Sequence, residues 1–134
     1  MTRVALPIWS GRLSPVFDVA EHLLLVDLDG PREVGRQVRG LSDPEPLARA
    51  HVLSGLDVDV LICGAVSRTM EHALASSGVD VVSGICGDVE RVLLAYSRRT
   101  LEDEPALHLP GSRRGTRTPD DPVGRRVGQP GGAR

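Results

Sequence analysis

Between Val58 and Tyr96 the chain writes one short phrase twice, and that repetition narrows the folds open to it. The first copy is Val58-Asp59-Val60-Leu61-Ile62-Cys63-Gly64-Ala65-Val66, followed by Ser67 to Ser77. The second is Val79-Asp80-Val81-Val82-Ser83-Gly84-Ile85-Cys86-Gly87-Asp88-Val89, followed by Glu90 to Tyr96. Each reads as a buried strand running into Ile-Cys-Gly and then a helix. Val58–Ile62 and Val79–Val82 are short runs with β-branched enrichment, as in strands covered on both faces. A strand–helix–strand unit of this length needs a crossover, so the two strands are expected to be parallel, with a right-handed connection. Met70, Ala73, Leu74 and Ser77 carry helical spacing, with Ser67 as N-cap and Gly78 as the stop; Val89, Val92, Leu93 and Tyr96 repeat it behind Asp88.

Both cysteines of the chain stand at these junctions, 23 residues apart. In open α/β sheets ligands bind outside the carboxyl ends of the strands. Neighbouring strands lie only ~4.8 Å apart, so Cys63 and Cys86, with Gly64 and Gly87 after them, are expected to form one edge. Each Cys precedes a helix start, where free N–H groups and the dipole favour a thiolate. They are therefore candidate ligands for one soft metal or cluster. The competing reading is packing, since free cysteine is among the most buried residue types.

Composition removes several alternatives. With one Trp, one Tyr and one Phe, aliphatic side chains must fill the core, and a stacking platform for single-stranded nucleic acid lacks its aromatics. A net charge of −2 argues against general polyanion binding. All 16 basic residues are Arg, which excludes lysine Schiff-base and P-loop chemistry. Two cysteines without a recognisable signal peptide point to free thiols in a cytoplasmic setting. No apolar run approaches the ~20 residues that span a bilayer.

In order, Arg3–Trp9 reads as an apolar strand, Ser10–Pro15 as a loop and Leu23–Asp27 as a second strand. Asp29-Gly30 reads as a hairpin turn and Arg32–Arg39 as an exposed edge strand. Asp43-Pro44-Glu45-Pro46 starts a helix to Gly55 with Leu47, Ala50, His51 and Ser54 on one face. The order is β-β-β-α-β-α-β-α, a single α/β domain over residues 1–100 with a mixed central sheet. Residues 101–134 read as a disordered tail. From Pro105 onward they hold five Pro, six Gly and six Arg, so removal of that stretch is expected to leave the fold intact.

His22 follows the first loop toward the ligand-binding edge and is a weaker candidate ligand; His51 and His72 lie in helices and His108 in the tail. Phe17, the only Phe, is expected to anchor that loop by packing. Asp18 and Asp88 have no partner readable from spacing. No Cys-x-x-Cys, His-Glu-x-x-His, Gly-x-Ser-x-Gly or Walker motif occurs, so no catalytic constellation emerges.

Ser14-Pro15-Val16-Phe17-Asp18-Val19-Ala20, the strand Leu23–Asp27, Ile62-Cys63-Gly64-Ala65-Val66-Ser67 and Gly84 to Tyr96 resemble the dinitrogenase iron–molybdenum cofactor biosynthesis family, the NifX-like carriers. The similarity covers about residues 1–100. It implies a ribonuclease H-like α/β fold without ribonuclease activity. It also implies non-catalytic binding, carriage or delivery of an iron–sulfur or iron–molybdenum type cluster to cofactor-assembly or acceptor proteins. Two departures stand out: Val16 occupies a place where members often carry His, and Leu109-Pro110-Gly111-Ser112 replaces a Cys-containing segment. Two Cys fall short of the four thiolates usual for an iron–sulfur cluster. A cluster then needs His22, an exogenous ligand, or a homodimer in which each subunit gives Cys63 and Cys86. The other reading is an interaction or regulatory module of the same fold that has lost its cluster.

Overall fold

The computed structural model describes residues 1–110. Its strands are β1 (Thr2–Trp9), β2 (Arg12–Leu13), β3 (His22–Asp29), β4 (Arg32–Gly40), β5 (Val60–Ile62) and β6 (Asp80–Val82). Its helices are α1 (Pro46–Gly55), α2 (Arg68–Ser76) and α3 (Val89–Ser97), with short 3₁₀ turns at Phe17–Val19, Leu101–Asp103 and Pro105–Leu107. The expected order holds, with the two-residue β2 added. The sheet runs β4-β3-β1-β5-β6, and β2 pairs with β1. β4, β3 and β1 are antiparallel neighbours, while β1, β5 and β6 are parallel, which makes the sheet mixed as the sequence implied.

The pleat sorts the apolar runs into two cores. Val4, Leu6, Leu24, Val26, Val60 and Ile62 face α3; Ala5, Leu23, Leu25, Leu61 and Cys63 face α1 and α2. Because helices cover both faces, β1, β3 and β5 can be continuously apolar. β4 is exposed over nearly its whole length, as an edge strand with charged residues should be.

Helices begin where the sequence marked them. Ser67 Oγ accepts from the Met70 N–H, and Asp88 accepts from the N–H groups of Glu90 and Arg91. Met70, Ala73 and Leu74 are buried on α2, as are Val89, Val92 and Leu93 on α3. α1 departs from expectation. Its buried residues are Arg49, Ala50 and Leu53, whereas Leu47 is 60% exposed. The helix is rotated because the Arg49 guanidinium serves the loop beneath it, as described below.

The domain also continues past residue 100, which corrects the boundary read from the sequence. Leu101 and Leu107 enter the α3-side core, at 7% and 1% exposure. The segment pairs with the chain beyond β6: the Leu109 N–H donates to the Gly84 carbonyl and the Cys86 N–H to the Leu107 carbonyl, both at 2.8 Å. The stretch had no periodicity to announce this, because single anchors rather than a repeating face hold it. Residues 111–134 of the expected tail lie outside the described residues. No helix among the described residues is long and apolar enough to cross a membrane.

Leu107→Ala should cost about 2–5 kcal/mol, the usual range for truncating a buried leucine. Removing the chain from Pro105 onward should lower Tm for the same reason, contrary to the expectation from composition. Denaturant and thermal unfolding check both, and an unchanged Tm would show that the segment contributes no packing.

Candidate functional site

The carboxyl ends of β1, β5 and β6 meet three loops, and the first of these is bound tightly to the second. The Ala65 N–H donates to the Pro15 carbonyl at 2.8 Å, and the Phe17 N–H donates to the Ala65 carbonyl at 2.9 Å. Gly64 makes this approach feasible. A Cβ there would sit 2.5 Å from the Pro15 carbonyl oxygen and 3.1 Å from that of Ser14. Gly64 thus seats a neighbouring loop, and its missing side chain leaves no cradle for a ligand. Gly87 plays a similar part: its φ of +116° suits glycine, a Cβ would meet Leu107 at 3.0 Å, and its carbonyl accepts from the Leu13 N–H. The expectation that these two glycines line a cofactor is replaced by loop packing.

Asp18 fastens the same loop to α2. One carboxylate oxygen accepts from the Ser67 N–H at 2.8 Å and the other from the Ser67 hydroxyl at 2.6 Å, while that hydroxyl oxygen caps the helix. Asp88 is likewise engaged as the α3 cap. From the opposite side comes Arg49, which sequence reasoning missed. It is 2% exposed, donates to the carbonyls of Phe17 and Ala20 at 2.8 Å each and to that of Asp43 at 3.0 Å. Its guanidinium lies 5.4 Å from the centroid of the fully buried Phe17 ring. Burial pulls the Arg49 pKa below the usual arginine value, against the opposing charges of Asp18 and Asp43. An arginine on a short helix carries no sequence signal that it turns inward. Phe17 is the anchor the sequence suggested.

The two cysteines share an edge and little else. Cys63 continues the pleat of β5, so its side chain points into the core beneath α1 and α2 and is fully buried. Burial pushes its thiol far above the ordinary range, and the charges of Glu71 and Asp18 push the same way. This corrects the reading of Cys63 as a thiolate metal ligand with a lowered pKa: the helix dipole is outweighed by desolvation. Cys86 is partly exposed, its Sγ 3.9 Å from the Ala106 carbonyl oxygen.

The repeated phrase hides this difference. Ile62 pairs with Val82, so the residue level with Cys63 is Ser83, and Cys86 falls three positions further on. Gly84, at φ +77°, turns the chain in between. The written repeat is therefore not a structural one.

His22 is exposed at the start of β3, paired with Gly40. It stands at the same edge, but β1 and β5 lie between its strand and β6, which makes three spacings of ~4.8 Å. Among the described residues, no group of three or more His, Cys, Asp or Glu side chains is placed to hold a metal ion. Cys86 is the thiol that the edge presents to solvent.

The model of the dinitrogenase iron-molybdenum cofactor family matches residues 1–99. The chain belongs to this family. Solved structures share its fold. One is PH0822, at 20% identity and a TM-score of 0.69, covering 73% of this chain and 90% of that one. The apo form of the orange protein from Desulfovibrio gigas is 22% identical, with a TM-score of 0.65 and coverage of 75% and 90%. A candidate NifB protein from Thermotoga, assigned to the DUF35 family, is 25% identical, with a TM-score of 0.60 and the same coverage. No curated protein matches the sequence.

Two outcomes follow from the site. Gly64→Ala should cost about 1–3 kcal/mol, as overpacking does when backbone must move, and should loosen the Ser14–Ala20 loop. Proteolysis rates in that loop would report it, and a variant as stable and as resistant as wild type would show that the loop yields freely. The second outcome concerns pH. Since the folded Cys63 thiol keeps a proton that the unfolded chain releases above about pH 8.5, its contribution is whole below that pH and falls above it. Cys63→Ala should flatten this alkaline loss between about pH 8.5 and 10 in denaturant titrations. Equal slopes in both proteins would contradict a raised thiol pKa.

Proposed function

We propose that this family member binds and carries a metal cluster as cargo, holding it at the carboxyl edge of the sheet through Cys86. The partly exposed Cys86 thiol at the carboxyl edge, set against the Pro105–Leu107 turn, is the observation that supports this reading. Membership of a family named for the iron–molybdenum cofactor supports it at the level of cargo class. The cargo is an iron–sulfur or iron–molybdenum type cluster, received from and passed to cofactor-assembly or acceptor proteins in the cytoplasm, and no bond of the cargo need be made or broken by a catalytic group.

One thiolate per chain leaves the cluster short of ligands. Two Cys86 residues from two copies supply two thiolates, and small exogenous thiols fill the remaining positions. Cys63 stays in the core and His22 stays apart, so the two-cysteine site of one chain is not proposed again. A second reading has its own support in the single accessible thiol and the absence of a metal-holding group among the described residues. In that reading the fold is kept for docking to a partner and the cluster is gone.

Anaerobic reconstitution with iron and sulfide, and separately with tetrathiomolybdate, separates the two. Wild type should gain visible absorption and bound metal, and Cys86→Ser should lose most of both. Cys63→Ser should keep its metal uptake, with reduced stability. Elution volume should shift to that of a dimer on loading if two copies share the cluster. Wild-type protein that stays colourless and metal-free under every condition would sink the carrier reading and leave the docking module.

A further inference from the structure

On the α3 side of the sheet, an open groove of about 940 Å³ runs between the Gly30-Pro31 turn, the end of α3 and the Leu101–Asp103 turn. Leu28, Ile85, Leu101 and Tyr96 give it an apolar floor. Its rim carries both signs of charge: Arg98 and Arg99 on the helix end, Glu102 and Asp103 on the turn. None of these four forms an ion pair among the described residues, whereas the adjacent Glu104 is held by Arg91. Arg99 also stands at φ +61°, the position after a helix where glycine is the common choice. A non-glycine residue there is strained by the contact of its Cβ with the backbone. Strain and unpaired charge thus coincide at one rim.

The chain itself supplies a complementary occupant. Six of its sixteen arginines and only two of its eighteen carboxylates lie in residues 111–134. The described domain is therefore left with ten arginines against sixteen carboxylates, and the two parts carry opposite net charge. The described chain ends at Pro110, two residues after His108, which lines the groove and holds the Leu101 carbonyl at 2.9 Å. From His108, Arg113 and Arg114 lie within ~20 Å of extended chain, so they can reach Glu102 and Asp103. Asp120 and Asp121 follow six residues or more after Arg114 and are the two carboxylates of this stretch, opposite in charge to Arg98 and Arg99. We infer that residues 111–134 dock back along this groove, Arg113 and Arg114 on the acidic rim and Asp120 and Asp121 on the basic one.

Exposed ion pairs are individually weak. Tethering replaces a bimolecular encounter by a local concentration of order millimolar, so a few such pairs suffice, and the contact is salt-labile. The inference does not depend on the cargo reading, since none of Cys63, Cys86 and His22 lines the groove.

The test uses the full chain and its ¹H–¹⁵N NMR spectrum at low salt. R113E/R114E should move the amide signals of Tyr96, Leu101 and His108 toward their positions in 0.5 M salt, several-fold more than signals elsewhere. E102R/D103R should do the same, and combining all four substitutions should return the signals toward wild type. Groove signals indifferent to R113E/R114E would overturn the inference. So would groove signals that depend on protein concentration, which would assign the surface to a second copy.

Discussion

A guanidinium with no carboxylate in hydrogen-bonding contact lies under the Phe17–Ala20 turn, and the arrangement of the carboxyl edge depends on it. Removing an ion from water carries an effective penalty of several kcal/mol. Arg49 offsets that penalty by satisfying three carbonyl oxygens, those of Phe17, Ala20 and Asp43, while its flat face rests near the Phe17 ring. The Phe17 carbonyl heads a short 3₁₀ turn and also accepts from the Ala20 N–H at 3.1 Å, while those of Ala20 and Asp43 lie in irregular backbone. One arginine therefore ties the turn to the two segments that flank it. The orientation of α1 follows, because the helix must turn Arg49 inward even at the expense of leaving Leu47 in solvent.

The opposite side of the same loop is held by a different kind of contact. Backbone pairing to Ala65 requires the absence of a side chain at Gly64, and Asp18 links the loop to the N-terminus of α2 through Ser67. The loop is clamped between α1 and α2, with Phe17 as the apolar pin. A loop held this way is preorganised, and little of its ordering entropy remains to be lost in any contact it makes. This rigidity comes from Gly64, Asp18, Phe17 and Arg49.

Thiol chemistry is divided by the pleat of the sheet. Cys63 is the next residue of an alternating strand and inherits the inward direction of Leu61. Cys86 follows a left-handed glycine and lies against the Pro105–Leu107 turn, which leaves its sulfur partly open. Identical Ile-Cys-Gly phrases thus yield one core thiol and one accessible thiol. For a carrier the consequence is a ligand set that must be completed from outside the chain.

Much of the architecture was legible in the residues. The apolar runs of β1, β3 and β5, the caps at Ser67 and Asp88 and the stop at Gly78 are local signals, and each acts within a few residues of where it is written. They determined the element order, the parallel pair β5–β6 and the buried faces of α2 and α3. What the sequence alone did not reveal depends on partners distant along the chain. Arg49 finds its carbonyls about thirty residues away, Leu107 packs into a core built from strands far upstream, and Cys63 differs from Cys86 by a register that only β5–β6 pairing sets. Burial is a property of the assembled layers rather than of a residue or its neighbours. Only the tertiary structure could decide which cysteine meets solvent, because desolvation is imposed by side chains that the local phrase does not contain.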